Sequence, residues 1–363
     1  MNITPQKFAV RLIEWWRQNP RELPWKMSRD PYMVWVSEII LQQTRVAQGT
    51  PYFLRFLAAF PDIKSLAAAE EEEVLKLWEG LGYYSRARNM LHTAKIVCND
   101  HDGKFPDTYE DILRLKGIGP YTAAALASFA FGLRHAVIDG NVLRVVSRVA
   151  GIPGTPDDRE LRQRVSMYVT EAIEHADPEE YNQAIMDLGA TVCLPSSPAC
   201  IVCPVKDGCV AFREGLTGEI PAKKLRPAKK TRFMHYFDIS VFGDCRILQR
   251  REAGDIWQGL FQFPLIGTEG PDTPTNAMVD SMLAGIFEGN LQHVYKPAFV
   301  FKKSHVLTHR IIEAHFYELK VNGDELKIKT PYYLVENKKV GNFAFPKIFK
   351  DYFDSQKNDS NGK

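Results

Sequence analysis

"LKGIGPYTAAALASFAFG", residues 115–132, decides how the first 220 residues must be read. A G-x-G is followed at once by an Ala-rich run of strong helix formers. Gly117 and Gly119 are therefore predicted to form a turn between two helices, free to adopt positive φ. Leu113 and Leu115 supply the helix before it. Backbone N–H groups would then be exposed at a positive helix end, a cradle suited to a phosphodiester. A Gly-bearing joint between helices is also a common structural element. The stretch thus specifies helix–hairpin–helix more firmly than it specifies a ligand.

Outward from the hairpin, the same helical character holds. "FAVRLIEWW" spaces Phe8, Leu12 and Trp15 along one helix face, and "LAAAEEEEVLKLWEG" reads as one helix stopped by a Gly. "DGNVLRVVSRVAG" is opened by Asp139 and closed by Gly151. No two-residue alternation interrupts this pattern before the cysteine cluster that begins at Cys193. Beyond it, "PAKKLRPAKKTR" (221–232) carries six basic side chains in its last ten positions and reads as a solvated linker. "MHYFDISVF", "CRILQRR" and "EAHFYELKV" then read as strands, and "TPTNAMVDSMLAGIFEGN" as a helix. The fold class is mainly α followed by α+β, with domains at 1–220 and 233–352 and a disordered tail at 353–363.

A length of 363 residues fits two domains. No apolar run reaches membrane-spanning length, and the N-terminus lacks a basic start with an apolar core. A cytoplasmic protein without membrane contact is expected. A net charge of +2 neither demands nor excludes nucleic acid.

Four of the six cysteines, Cys193, Cys200, Cys203 and Cys209, fall within seventeen residues. Thiolates so spaced can hold tetrahedral zinc or a cubane iron–sulfur cluster, and spacing does not choose between them. A reducing cytosol disfavours disulfides. Cys98 and Cys245 stand apart as buried apolar fillers or unreactive thiols.

Two carboxylates carry the remaining chemistry. Asp139 follows an apolar triplet and directly precedes a helix, the position of an N-cap. Helix-end hydrogen bonds there are expected to lower its pKa, and capping is compatible with catalysis. Glu38 lies inside "VWVSEIILQQT". It either occupies the polar face of an amphipathic helix with Gln42 and Arg45, or faces a dry cleft that raises its pKa and makes it an acid near neutrality. One carboxyl kept protonated beside one kept ionised is the pairing used to cleave glycosidic bonds. In "GLGYYSRARNM", the aromatic pair Tyr83–Tyr84 precedes Arg86 and Arg88. That arrangement suits insertion into a base stack as well as ordinary helix packing.

Taken in order, "LPW", "DPYMVWVSEIILQQTRV", "GLGYYSRARN", "LKGIGPYTAAAL", "VIDGNVLRV", "NQAIMDLGA" and the four cysteines resemble the adenine DNA glycosylases of the MutY type, within the endonuclease III-like helix–hairpin–helix superfamily. The likeness is dense to about residue 215 and looser to about 350. It implies a helical catalytic region with a 4Fe–4S cluster on Cys193, Cys200, Cys203 and Cys209, and a C-terminal domain resembling Nudix pyrophosphohydrolases. It also implies removal of adenine mispaired with 8-oxoguanine or guanine in double-stranded DNA. The expected setting is a monomer in a bacterial cytoplasm, associated with the nucleoid when bound.

Carried over by position, Glu38 resembles the general acid that protonates adenine at N7, and Asp139 the carboxylate that stabilises or covalently traps the sugar cation. Tyr121 and Asn141 resemble the residues that position that carboxylate and the reacting sugar and water. Tyr83 resembles the wedge, with Lys26, Leu41, Gln43 and Leu81 near the orphaned base and Gly117 and Gly119 on the backbone. Where bifunctional relatives carry a Schiff-base Lys two residues after the second hairpin Gly, this chain has Tyr121, which implies base removal without strand cleavage. The C-terminal region lacks an R-E-x-x-E-E helix, which argues against pyrophosphate hydrolysis. The family's Phe-Ser-His lesion reader aligns with Leu307, Thr308 and His309, or alternatively with Ser304–His305. A glycosylase for thymine glycol or G:T mismatches and a non-enzymatic cluster protein are the competing readings.

Overall fold

The computed structural model describes residues 2–223, 228–289, 291–294, 296–323 and 326–360. Residues 224–227 of the expected linker and 361–363 of the expected tail lie outside the described residues. The chain packs as two units, Met1–Ala68 with Asn89–Leu225, and Ala69–Arg88 with Arg226–Lys363.

The helices are α1 (Pro5–Gln18), α2 (Pro31–Leu41), α3 (Val46–Ala59), α4 (Ile63–Ala68), α5 (Glu71–Leu77), α6 (Ser85–Asp100), α7 (Tyr109–Arg114), α8 (Pro120–Phe129), α9 (Gly140–Ala150), α10 (Arg159–Ile173), α11 (Pro178–Thr191), α12 (Val210–Arg213), α13 (Asn276–Ile286) and α14 (Lys347–Ser360). Among the described residues of the first unit, the regular elements are all helices. Their ends follow sequence signals: Asp30, Asp158 and Asp177 cap α2, α10 and α11 through their carboxylates. Gly151 closes α9 in the left-handed conformation.

The run "LAAAEEEEVLKLWEG" is not one helix. It breaks into α4 and α5, and Glu70 opens α5 in a reciprocal capping box with Glu73. Clustered carboxylates are stabilised at a helix N-terminus rather than in its interior. Residues 69–88, inside the stretch expected to be catalytic, cluster with the second unit.

In the second unit, β1 (Lys230–Val241), β2 (Cys245–Arg250), β3 (Phe261–Gln262), β4 (Leu265–Thr268), β6 (Leu291–Val294), β7 (Ala298–Val306), β8 (Arg310–Gly323) and β10 (Tyr332–Glu336) form one sheet. The short β5 (Phe287–Glu288) and β9 (Lys327–Ile328) pair separately. Its centre is the parallel pair β1–β8, in register from Lys230↔Arg310 to Val241↔Val321. Alternation along these strands feeds two cores. Met234, Tyr236, Ile312, Ala314 and Phe316 pack on one face with Ile348, Phe349 and Tyr352 of α14. Phe237, Ile239, Tyr317, Leu319 and Val321 pack on the other with Val279, Leu283 and Ile286 of α13.

The expected linker therefore ends early, because Lys230–Arg232 already belong to β1. The expected disordered tail is likewise helical through Ser360, and Phe353 packs against the core. Apolar residues just before the polar tail give α14 a face to bury. Among the described residues, no helix is long and apolar enough to cross a membrane.

Candidate active site

Asp30 and Pro31 start α2, but the helix that follows has no polar face. Val34 through Ile40 are all buried, so packing on every side carries Glu38 inward with them. Glu38 is 6% exposed, which excludes the solvated-face reading. Its Oε2 accepts a hydrogen bond from Tyr121 Oη at 2.7 Å. Tyr121 comes from the hairpin side: Gly119 caps α8, Pro120 opens it, and Tyr121 follows. Burial pushes the Glu38 carboxyl up to about 7, opposed by the Tyr121 bond and reinforced by the charge of Asp139.

Asp139 caps α9. Its Oδ1 accepts from the Val142 amide at 2.7 Å and its Oδ2 from Asn141 Nδ2 at 2.9 Å. Asn141 is itself held, its Oδ1 accepting from Arg144 Nη2 at 2.8 Å. Arg144 also donates to the carbonyls of Gly189 and Cys193, both at 2.8 Å. A Cβ at Gly189 would lie 2.6 Å from that of Asn141, so glycine is what lets α11 approach. The expectation of a lowered Asp139 pKa is overturned. Burial raises it, outweighing the bonds from Val142 and Asn141 and the charge of Arg144. Asp139 still has several compensating donors against the single one of Glu38, so the two carboxyls are solvated unequally.

Both carboxyls line one cleft of about 580 Å³, within the range of small-ligand sites. Tyr121 and Asn141 line it as well, together with Lys26, Leu41 and Gln43. Arg21, Trp25, Gln183, Met186 and Asp187 are lining residues that sequence reasoning missed. Gln183, Met186, Asp187 and Ala190 follow helical i, i+3, i+4, i+7 spacing within "NQAIMDLGA", the signal that could have found them. Asp187 is a buried hub that accepts from Lys26 Nζ at 2.5 Å, Trp16 Nε1 at 3.0 Å and Arg21 Nη1 at 3.4 Å.

In the hairpin, Gly117 has φ +79° as expected, and a Cβ there would meet Asn89 Cβ at 2.7 Å. Gly119 does not share that conformation. Its φ is −96°, since a residue preceding proline is driven to extended backbone. Open space surrounds it, so its backbone stays approachable.

Leu81 and Tyr83 belong to the second unit. Tyr84 is buried, its hydroxyl accepting from the Gly80 amide at 3.0 Å, whereas Tyr83 is 49% exposed in a left-handed conformation at φ +48°. Tyr83 Oη lies 2.8 Å from Thr308 Oγ1. Leu307 is half-buried against the α14-side core, while Thr308 and His309 are exposed in the tight turn between β7 and β8. Ser304 and His305 lie within β7, with His305 against Trp257 at 5.9 Å.

Cys193, Cys200, Cys203 and Cys209 line one apolar cavity with Val145, Val149, Leu188, Val192 and Val205. All four are free thiols. Arg148 Nη1 lies 3.4 Å from Cys193 Sγ. Burial pushes the Cys203 thiol up to about 12. A thiolate set in so dry a pocket calls for a positive partner, and the donor chemistry fits a thiolate-held metal group. Among the described residues, no trio of His, Cys, Asp or Glu stands close enough to grip a single ion.

Comparison with known proteins accords with this geometry. Residues 36–171 match the model of the HhH-GPD superfamily base excision DNA repair proteins, and residues 242–355 match a NUDIX domain. The chain is 35% identical over 263 residues to the adenine DNA glycosylase of Buchnera aphidicola subsp. Acyrthosiphon pisum, covering 72% of this chain and 75% of that protein. To the human adenine DNA glycosylase it is 42% identical over 213 residues, covering 56% and 39%. A thermostable thymine-DNA glycosylase superposes with TM-score 0.53 at 24% identity over 58% of this chain and 97% of that one, a likeness of fold alone. Fold and site together define an enzyme of the helix–hairpin–helix base excision class. Within it, the chain belongs to the adenine DNA glycosylase family.

Proposed function

We propose that the protein removes adenine mispaired with 8-oxoguanine or guanine in double-stranded DNA by hydrolysing its N-glycosidic bond. The observation that carries this reading is the pair of unequally solvated carboxyls in one cleft, Glu38 poised near neutrality and Asp139 held by Asn141 and Val142. An adenine flipped out of the stack enters that cleft. Glu38 gives its proton to N7, the C1′–N9 bond breaks with its electrons leaving on the base, and the cationic sugar forms opposite Asp139. Water then adds to C1′ and gives up a proton to the ionised Glu38, which leaves a hydroxyl on the abasic sugar and restores the acid.

Tyr121 orients Glu38, and Asn141 orients Asp139. Lys26 and Leu41, first expected beside the orphaned base, wall the cleft that takes adenine. Gln43 lines that same cleft, and Leu81 is buried, so the exposed Tyr83, Thr308 and His309 are left to meet the opposite strand, with the Gly117 and Gly119 backbone on phosphate. Tyr121 replaces an amine nucleophile, so the strand stays intact.

Cys193, Cys200, Cys203 and Cys209 would hold a 4Fe–4S cluster, which when bound gives a segment poor in apolar residues its core. The NUDIX domain serves as reader rather than hydrolase, since α13 carries Asp280 as its single acid. The enzyme acts as a monomer on the nucleoid of a bacterial cytoplasm. Excision from a panel of A:8-oxoguanine, A:G, G:T and thymine-glycol duplexes tests the reading. Release of adenine alone supports it, and release of thymine derivatives instead would replace it with the thymine-specific alternative.

A further inference from the structure

The basic segment before β1 looks like a solvated connector, yet one of its lysines has a structural partner. Because β1 and β8 run parallel in register Lys230↔Arg310, the residue that feeds β1 lies beside the turn that feeds β8. Lys229 Nζ donates to the Leu307 carbonyl at 2.7 Å. Leu307 is fixed on two further sides, its amide donating to the Arg310 carbonyl at 2.8 Å and its side chain packing on the core. The peptide following it is trans, so the Thr308 N–H points opposite to the carbonyl that Lys229 holds. An ammonium on a carbonyl forms a charge-assisted bond, stronger than a neutral one, and polarises the N–H of the same peptide group. Tyr83 supplies a second tether through Thr308 Oγ1.

We propose that Lys229 is a positioning residue for lesion discrimination: by fixing the Leu307–Thr308 peptide plane, it presents the Thr308–His309 turn to the base opposite adenine. This rests on the reading of that turn as the lesion reader. Lys229 is not among the residues that line the cleft, so its effect falls on the choice between 8-oxoguanine and guanine.

The test is the ratio of single-turnover excision rates on A:8-oxoguanine and A:G duplexes, measured for the full-length protein and for K229M, K229R and T308V. K229M should lower the ratio about tenfold, the loss of one charge-assisted hydrogen bond, and K229R, which keeps charge and donors, should restore it. An unchanged ratio in K229M, or equal slowing on both duplexes with a lowered Tm, overturns the role of Lys229. If T308V changes the ratio while K229M does not, the lysine inference alone fails. If T308V also leaves the ratio unchanged, the reading of the turn fails with it.

Discussion

At the scale of single residues, reactivity here is set by desolvation. Glu38 is raised to about 7 by burial and by Asp139, and only the Tyr121 hydroxyl opposes the shift. In the proposed role of general acid it works protonated, so the excision rate should fall as pH rises through about 7. Tyr121→Phe removes the bond that lowers this pKa, so that alkaline limb should move to higher pH; a pH–rate profile of both proteins checks the direction. Glu38→Gln should cost about 10²–10⁴-fold in excision while duplex affinity is kept, as single-turnover rates and a binding titration would report. The identity of Glu38 could be read from its motif, but not its burial, because a single acid in an apolar run fits a solvated face as well as a dry cleft. Asp139 was readable as a cap, and its raised pKa was not, since the sequence shows the donors but not the depth of the site.

Elements carry the next set of consequences. The hairpin was evident from G-x-G before an Ala-rich helix, and Gly117 bears it out twice over, in its φ and in its distance from Asn89. Gly117→Ala should destabilise the first unit by about 1–3 kcal/mol through backbone strain and weaken duplex binding, as denaturant melts and titrations would detect. In the sheet, β1 and β8 face His235 and His315 together, stacked at 4.8 Å, with Tyr317 Oη 3.1 Å and Thr268 Oγ1 3.0 Å from the ring nitrogens of His235. Burial depresses His235 from 6.5 to about 4. A histidine held neutral in the fold contributes stability above its unfolded pKa, and this is lost as pH falls from 6.5 toward 4. His235→Phe should flatten that part of the Tm-against-pH curve while lowering Tm at neutral pH. Strand alternation was readable from the apolar pattern; the histidine pair was not, because it arises from register between strands some eighty residues apart.

The whole molecule departs furthest from a linear reading. Residues 69–88 lie in the middle of the helical sequence yet cluster with the C-terminal unit. There Arg250 pairs with Glu71 and Glu72 at 2.9 and 3.1 Å, Arg88 donates to the Gln258 carbonyl at 2.6 Å, and the Phe345 amide donates to Glu79 at 2.8 Å. None of these polar pairs leaves a local pattern, so they are invisible until the chain is folded. Tyr83 thereby shares a unit with Thr308. The cysteine module is the opposite case: spacing brings Cys193, Cys200, Cys203 and Cys209 together in the sequence, and the fold lines one cavity with all four. Cys203→Ser should abolish the visible absorbance expected of a cluster and open residues 193–220 to limited proteolysis; a colourless, zinc-loaded and active wild-type protein would remove the cluster instead. The most direct test of the chemistry is adenine release from an A:8-oxoguanine duplex by the wild-type protein and Glu38→Gln, analysed with and without alkali. Free adenine from the wild type alone, with strand breaks only after alkali, is the expected result. Undiminished release by Glu38→Gln, or breaks without alkali, would contradict it.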